Sequence, residues 1–223
     1  MENFKFRTLR ADEIDCRVGT VTDKGCSLLM YKDARVDMRL LDEVVGATNW
    51  KREHELINGN LFCTVSIWDD EKKEWVSKQD VGVESNTEKE KGQASDAFKR
   101  ACVNWGIGRE LYTCPFVWIN LAADEWRQNG MGKKQPKTRF YVTHIEYEEG
   151  NVSYLRIVDE SGAQRFVFGM SAREKEAIME VTAVADVVEL EKVYRKYERE
   201  YSKSAPFIAA CTKRKNELLA AAA

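Results

Sequence analysis

The sequence predicts an α+β fold: an antiparallel β-β-β-α core, additional hairpin strands and a C-terminal helical module. Three consecutive strand-like segments separated by turn or polar residues follow residue 50, which is typical of an antiparallel meander. A helical pattern with one apolar side comes next, and helical spacing returns from about residue 170 to the end. The length of 223 residues suits one main domain with a small appended module, which we place at 1–170 and 171–223.

The first half of the core is predicted from local patterns. A short amphipathic helix is expected over 35–45, where apolar residues recur at helical spacing. Asn58 and Gly59 indicate a tight hairpin between the first two strands, because an Asn-Gly pair tolerates the positive φ angles of such a turn. The three strands are expected at 50–56, 61–68 and 75–83.

The helix after the meander begins at a capping-box pattern of Thr87 and Glu90 and runs to about Trp105. Its apolar side is rich in small residues, so we expect it to lie close across the sheet. Ser171 and Glu174 indicate a second cap, at which the helical module begins. Between the two helical regions, further strands are predicted at 140–147, 152–159 and 165–168.

The composition limits where a nucleic-acid site can lie. The formal net charge of −2 gives no overall attraction to a polyanion, so a DNA site has to be a local cationic patch. The first residues lack the apolar stretch of a signal peptide or spanning helix, and we expect a cytoplasmic protein with no membrane partner. The six cysteines form no CxxC pair, which favours buried reduced thiols over a zinc site or disulfides.

Lys99 and Arg100 form the first cationic cluster, on the helix after the meander. They are expected at the edge of its apolar side, where a groove beside the sheet can receive a phosphate backbone. The alternative is an ordinary solvated helix flank.

A second cluster lies in the segment from residue 126 to residue 140, which contains no acid and two glycines. Its cations are Arg127, Lys133, Lys134, Lys137 and Arg139. A basic loop with aromatic flanks fits single-strand binding, in which cations follow the backbone and rings stack on bases. Trp126 is the base-stacking candidate, although a Trp at a surface also often anchors an interface. The alternative for the whole segment is a mobile surface loop.

Lys72 and Lys73 form a weaker third cluster on the loop between the second and third strands, where a charged hairpin tip is the alternative. The sequence contains no GxxxxGK[ST] loop, and the GxG in the segment GIGRE follows a helix instead of a strand. His54 and His144 have no partner at ligand or triad spacing. We therefore expect a protein that is not an enzyme, with no catalytic residue, metal ligand or cofactor.

Four features between residues 30 and 120 occur in a distinctive order: DARVDMRLLDEVVGATNW, the Asn-Gly hairpin, a strand ending DVGVES, and the helix SDAFKRACVNWGIGRELY. Together they resemble the Rad fifty-two family of single-strand annealing proteins, especially its phage and bacterial branch. The resemblance implies a core that assembles into a homo-oligomeric ring and holds single-stranded DNA by its backbone in an outer groove. It further implies ATP-independent annealing of complementary strands in homologous recombination and repair, in the cytoplasm of a bacterium or of a phage-infected host cell.

The resemblance also implies roles for particular positions. Arg35 falls where the family has an arginine of the inner DNA groove, and Lys99 matches the lysine of its helix, with Arg100 alongside. Lys72 or Lys73 corresponds to a lysine of a second, outer DNA site. The C-terminal helices resemble tails of phage recombination proteins, and we expect them to recruit a single-strand-binding protein or an exonuclease.

Two other functions stay open from the residues alone. Scattered acids could assemble a metal-dependent nuclease of recombination, because sequence spacing does not exclude such a site. A protein-interaction adaptor is the second alternative, in which the C-terminal helices are the functional element and the basic groups are merely solvated.

Overall fold

The computed structural model describes residues 4–83, 89–130 and 132–221. The chain divides into two compact units, Met1–Phe168 and Gly169–Ala223, and each has its own hydrophobic core. The fold is α+β with antiparallel sheets and a C-terminal helical region, which confirms the predicted fold class. The assignment of DNA binding to residues 1–170 and of a separate role to 171–223 stays a prediction.

The first unit is built mainly of short strands. They are β1 (Asp15–Val21), β2 (Gly25–Tyr31), β3 (Trp50–Ile57), β4 (Asn60–Asp69), β5 (Glu74–Val81), β6 (Val117–Asn120), β7 (Trp126–Gln128), β8 (Lys134–Pro136), β9 (Phe140–Glu148), β10 (Asn151–Asp159) and β11 (Gln164–Gly169). Its helices are α1 (Ala34–Val45) and α2 (Lys89–Trp105), and a 3-10 turn spans Arg109–Thr113.

Strands β3, β4 and β5 form a three-stranded antiparallel sheet with β4 in the middle, and α2 packs on it. The β3–β4 hairpin turns at Asn58 and Gly59, whose φ angles of 50° and 79° are those that the Asn-Gly pattern predicts. Trp105 at the end of α2 donates a 3.0 Å hydrogen bond from Nε1 to the carbonyl oxygen of Val65. The buried residues of α2 are Ala97, Phe98, Ala101 and Cys102.

Gly82 allows α2 to approach the sheet closely. It follows β5 directly, and a Cβ at this position would lie 2.7 Å from the backbone nitrogen of Ala97 and collide with the carbonyl oxygen of Gln93. Because both atoms belong to the helix backbone, neither can move aside like a side chain. The predicted cap of this helix involves Thr87, which lies outside the described residues.

A six-stranded antiparallel sheet completes the first unit, in the order β11-β10-β9-β1-β2-β6. Strands β9, β10 and β11 were predicted from the sequence, whereas the β1–β2 hairpin was not. A register shift between Val18 and Val21 breaks the alternation that marks a strand. The signal that could have revealed this hairpin is the turn sequence from Asp23 to Gly25 between two apolar segments.

The second unit consists of the helices α3 (Ala172–Ala183), α4 (Val187–Tyr201) and α5 (Ala205–Ala221). The predicted cap at Ser171 is present, since its hydroxyl accepts a 3.1 Å hydrogen bond from the backbone N–H of Glu174. Tyr197 and Phe207 fill the centre of this small core. Among the described residues, every helix is too short or too polar to cross a membrane.

Candidate nucleic-acid interface

A concave surface of the first unit lies between the β1–β2 hairpin and α2, with the 3-10 turn after α2 at its end. We call it the α2 groove; its volume is about 880 Å³. Its lining residues are Arg17, Leu29, Met30, Tyr31, Lys32, Asp96, Lys99, Arg100, Val103, Gly108, Leu111 and Tyr112. The groove therefore combines a strand wall, a helix wall and both cationic and aromatic side chains.

Three cations line the groove where solvent reaches them. Arg17 is exposed on β1, and Lys99 and Arg100 are half-exposed on α2. The Lys99 ammonium lies 5.9 Å from the centre of the Tyr31 ring, and Arg100 Nε lies 3.3 Å from Asp80 Oδ1. The structure thus brings the predicted residues Lys99 and Arg100 together with Arg17, which sequence reasoning missed because the β1–β2 hairpin was not predicted.

Exposed apolar and aromatic side chains accompany these cations. Leu29 is 60% exposed and Tyr112 is 72% exposed, both in the lining of the groove. Phe116, one residue before β6, is not part of this lining; it is 76% exposed, and its ring stacks on Trp118 at 6.5 Å. A groove that pairs cations with accessible rings is suited to a single strand, which offers both phosphates and base faces.

The acid in the groove lining has a structural partner. Asp96 accepts a 3.0 Å hydrogen bond at Oδ2 from the backbone N–H of Val83, just after Gly82. The Asp96 carboxylate therefore fixes the chain before α2 to the helix.

Arg35, Lys72 and Lys73 are not among the residues that line the groove. Arg35 is exposed in the first turn of α1, with its Nη1 atom 3.8 Å from Asp33 Oδ2. Lys72 and Lys73 are exposed on the β4–β5 turn, 3.7 Å and 3.4 Å from Asp69 and Asp70. The structure does not bring these three predicted site residues together with Lys99, and their contacts with DNA stay predictions.

The second basic segment differs from the predicted loop in one respect. It is a two-stranded antiparallel hairpin, in which β7 and β8 pair Trp126 with Pro136 and Gln128 with Lys134. The pairing of β7 with β8 gives this segment a regular structure, although its charged sequence did not predict strands. Four of its cations are exposed: Arg127, Lys133, Lys137 and Arg139.

Trp126 and Lys134 interact within this hairpin. The Lys134 ammonium pairs with Asp23 and lies 4.5 Å from the centre of the Trp126 ring. Trp126 is half-buried against the main core, and its Nε1 atom has no hydrogen-bond partner among the described residues. One face of this ring is thus covered, which favours an anchoring role; base stacking by Trp126 stays a prediction.

A buried ion pair lies beneath the α2 groove. Lys32 is 4% exposed and Asp37 is 0% exposed, and the Lys32 ammonium donates to Asp37 Oδ1. Burial raises the pKa of Asp37 to about 6, although the neighbouring Lys32 charge acts in the opposite direction. Burial, together with the Asp37 charge, also raises the pKa of the adjacent Cys102 thiol.

Raising the pH from 5 to 7 is expected to lower the free energy of unfolding of the first unit by about 1 kcal/mol through Asp37. The folded-state pKa of about 6 lies above the ordinary value of 3.8, so the folded protein binds this proton more tightly than the unfolded chain. The stabilisation is present at acidic pH and is lost as the pH rises through 6. Glu13 titrates below this window, because hydrogen bonding to Arg7 lowers its pKa to about 2.

Urea denaturation followed by tryptophan fluorescence measures this effect, because all six tryptophans lie in the first unit. The double variant Lys32→Met with Asp37→Asn serves as the control, since it has no carboxyl group at position 37. If the free energy of unfolding changes by the same amount between pH 5 and pH 7 in the wild type and in the double variant, the assignment to Asp37 is wrong.

Comparison with known proteins finds sequence similarity to a DNA-binding protein. The chain is similar to the single-stranded DNA-binding protein DdrA of Deinococcus radiodurans, with 37% identity over 99 residues. The match covers 42% of this chain and 44% of DdrA, so the chain aligns with less than half the length of that relative. No family model matches the chain, and no solved structure matches it.

The acidic and metal-ligating side chains bear on the nuclease alternative. Within the described residues, no cluster of three or more His, Cys, Asp and Glu side chains is arranged to hold a metal ion. The described part of the chain therefore gives the nuclease alternative no supporting site.

Proposed function

We propose that this protein binds single-stranded DNA in the α2 groove and anneals complementary strands in recombination and repair, without a nucleotide cofactor. The observation that carries the proposal is the convergence of Arg17, Lys99 and Arg100 on one groove that also exposes Tyr31 and Tyr112. The similarity to a single-stranded DNA-binding protein, DdrA, supports the same substrate. The resemblance to single-strand annealing proteins supports the annealing step.

The proposed mechanism needs no covalent chemistry. Groove cations hold the phosphates of one strand, and the bases stay accessible to a complementary strand. Base pairing then supplies sequence recognition, while the protein lowers the electrostatic repulsion between the two strands. Binding is therefore expected to tolerate any unstructured sequence.

Self-association is part of the proposal, because one groove offers only a few phosphate contacts. The two edge strands of the six-stranded sheet are β6 and β11. Both edges carry exposed apolar side chains, Phe116 next to β6, and Val167 and Phe168 on β11. A contact between unlike edges of neighbouring copies is head-to-tail, and such a contact can close into a ring with a continuous cationic track.

The test is oligonucleotide binding as a function of salt. Fluorescence anisotropy with labelled oligo-dT should show tight binding at low salt and a log-log slope of about −0.7 for each phosphate neutralised, hence about −2 for each subunit engaged. A monomeric protein that ignores oligo-dT at low ionic strength would overturn the proposal. Strand cleavage in the same samples with magnesium or manganese would indicate the nuclease instead.

The second unit supports a proposal about partners. A groove of about 280 Å³ lies between α4 and α5, and its lining residues are Val187, Leu190, Glu191, Tyr194, Cys211, Thr212 and Lys215. We place recruitment of a single-strand-binding protein or an exonuclease in this unit. Deletion of residues 171–223 should abolish capture of that partner and leave strand binding by the first unit.

A further inference from the structure

Lys32 is buried beneath the α2 groove and touches the elements that shape it. It follows β2 directly, and its ammonium pairs with Asp37 on α1. The same ammonium lies 3.5 Å from the backbone carbonyl oxygen of Lys99 on α2. Its methylene groups pack against Gly108, where an added Cβ would collide with Lys32 Cε. One side chain therefore links α1, α2 and the turn after α2.

A charged pair at this place needs an explanation, because packing alone does not require it. Lysine is almost never fully buried, and an apolar pair of similar volume is often equally stable or more stable. The Lys32 ammonium reaches the backbone of Lys99, and the residue before Lys32 is Tyr31, over whose ring the Lys99 ammonium lies. Lys32 is thus connected to Lys99 in two ways, through the Lys99 backbone carbonyl and through the adjacent residue Tyr31.

We propose that Lys32 is a positioning residue that, held by Asp37, fixes the turn of α2 carrying Lys99 against Tyr31 and so sets the phosphate contact of Lys99. This inference rests on the proposed function, DNA binding in the α2 groove. Lys32 itself does not contact the strand, because its ammonium is buried and paired. The effect of Lys32 on DNA binding passes entirely through Lys99.

A double-mutant cycle tests this dependence with full-length protein and labelled oligo-dT. The positioning pair is removed in Lys32→Met with Asp37→Asn, which leaves no unpaired buried charge. This variant should bind oligo-dT roughly tenfold more weakly, with a salt slope flatter by about 0.7, as expected for one lost phosphate contact. Adding Lys99→Ala should cause no further loss, because the Lys99 contact is already gone.

Arg17→Ala is the matched control, since Arg17 lines the same groove from another element, β1. The fold-loss in affinity caused by Arg17→Ala should multiply with the fold-loss caused by the Lys32 and Asp37 double variant. Two outcomes would show that Lys32 is only a packing residue and that the inference is wrong. In the first, the fold-losses in affinity of Lys99→Ala and of the double variant multiply in full. In the second, the double variant binds oligo-dT like the wild type. Absence of binding by the wild type would instead remove the proposed function itself.

Lys32→Gln provides a second route if the double variant does not fold. Gln keeps a hydrogen-bond donor on a shorter side chain. Tryptophan fluorescence reports whether the first unit of this variant is folded. The same dependence on Lys99 is expected, with a loss no larger than that of Lys99→Ala. Full additivity between Lys32→Gln and Lys99→Ala in folded protein would overturn the inference.

Discussion

Replacement of Lys99 by Glu is expected to weaken oligo-dT binding by about 100-fold or more at low salt and to abolish annealing. The change removes a cation from the α2 groove and places an anion beside a strand of phosphates. Arg17→Glu should have an effect of the same order, because Arg17 lines the opposite wall. Both side chains are at least partly exposed, so circular dichroism and thermal unfolding should stay close to the wild type.

Arg35→Glu distinguishes a strand in the α2 groove from a strand that follows the path implied by the resemblance. It makes the same change of charge at an exposed position of the first unit that does not line the groove. The resemblance to the Rad fifty-two family points to Arg35, whereas the geometry of the groove points to Arg17. If the strand contacts only the α2 groove, Arg35→Glu should change the affinity by less than about threefold. If Arg35→Glu loses as much affinity as Lys99→Glu while Arg17→Glu binds like the wild type, the strand follows another path.

Replacement of Gly82 by Ala is expected to lower the free energy of unfolding of the first unit by about 3 kcal/mol. The new methyl group would collide with the backbone of α2 at Gln93 and Ala97. The helix that carries Lys99 and Arg100 would have to move away from the sheet, so the groove should be disturbed as well. Urea denaturation followed by tryptophan fluorescence gives the change in stability.

Gly130→Ala is the control for this substitution. A Cβ at Gly130 meets nothing within 4 Å, and no collision is expected. Its unfolding free energy should stay within about 0.5 kcal/mol of the wild type. Equal stability of the Gly82→Ala and Gly130→Ala variants would show that α2 does not depend on this close approach.

The parts of the fold that were predictable depend on local signals. The Asn58-Gly59 turn fixes the β3–β4 hairpin, and the Ser171 hydroxyl caps α3, so neighbouring residues reveal both. The β1–β2 hairpin was missed, because its irregular register hides the alternation of apolar residues. Its position beside α2 depends on contacts distant in sequence, which no local pattern encodes.

The candidate site was predictable to a similar extent. The apolar stripe of α2 is a local pattern, and it suffices to predict that Lys99 and Arg100 emerge at the edge of a groove. Arg17 and Tyr112 enter the site only through the tertiary arrangement. The buried pair of Lys32 and Asp37 gives no sequence signal, because a Lys and an Asp five residues apart are usually solvated.

Cryo-electron microscopy of the full-length protein with bound oligo-dT tests the central claim most directly. We expect density for one strand running through the α2 grooves of successive subunits, with phosphates next to Arg17, Lys99 and Arg100. A strand held elsewhere, for example on the β7–β8 hairpin alone, with the α2 groove empty would contradict the account.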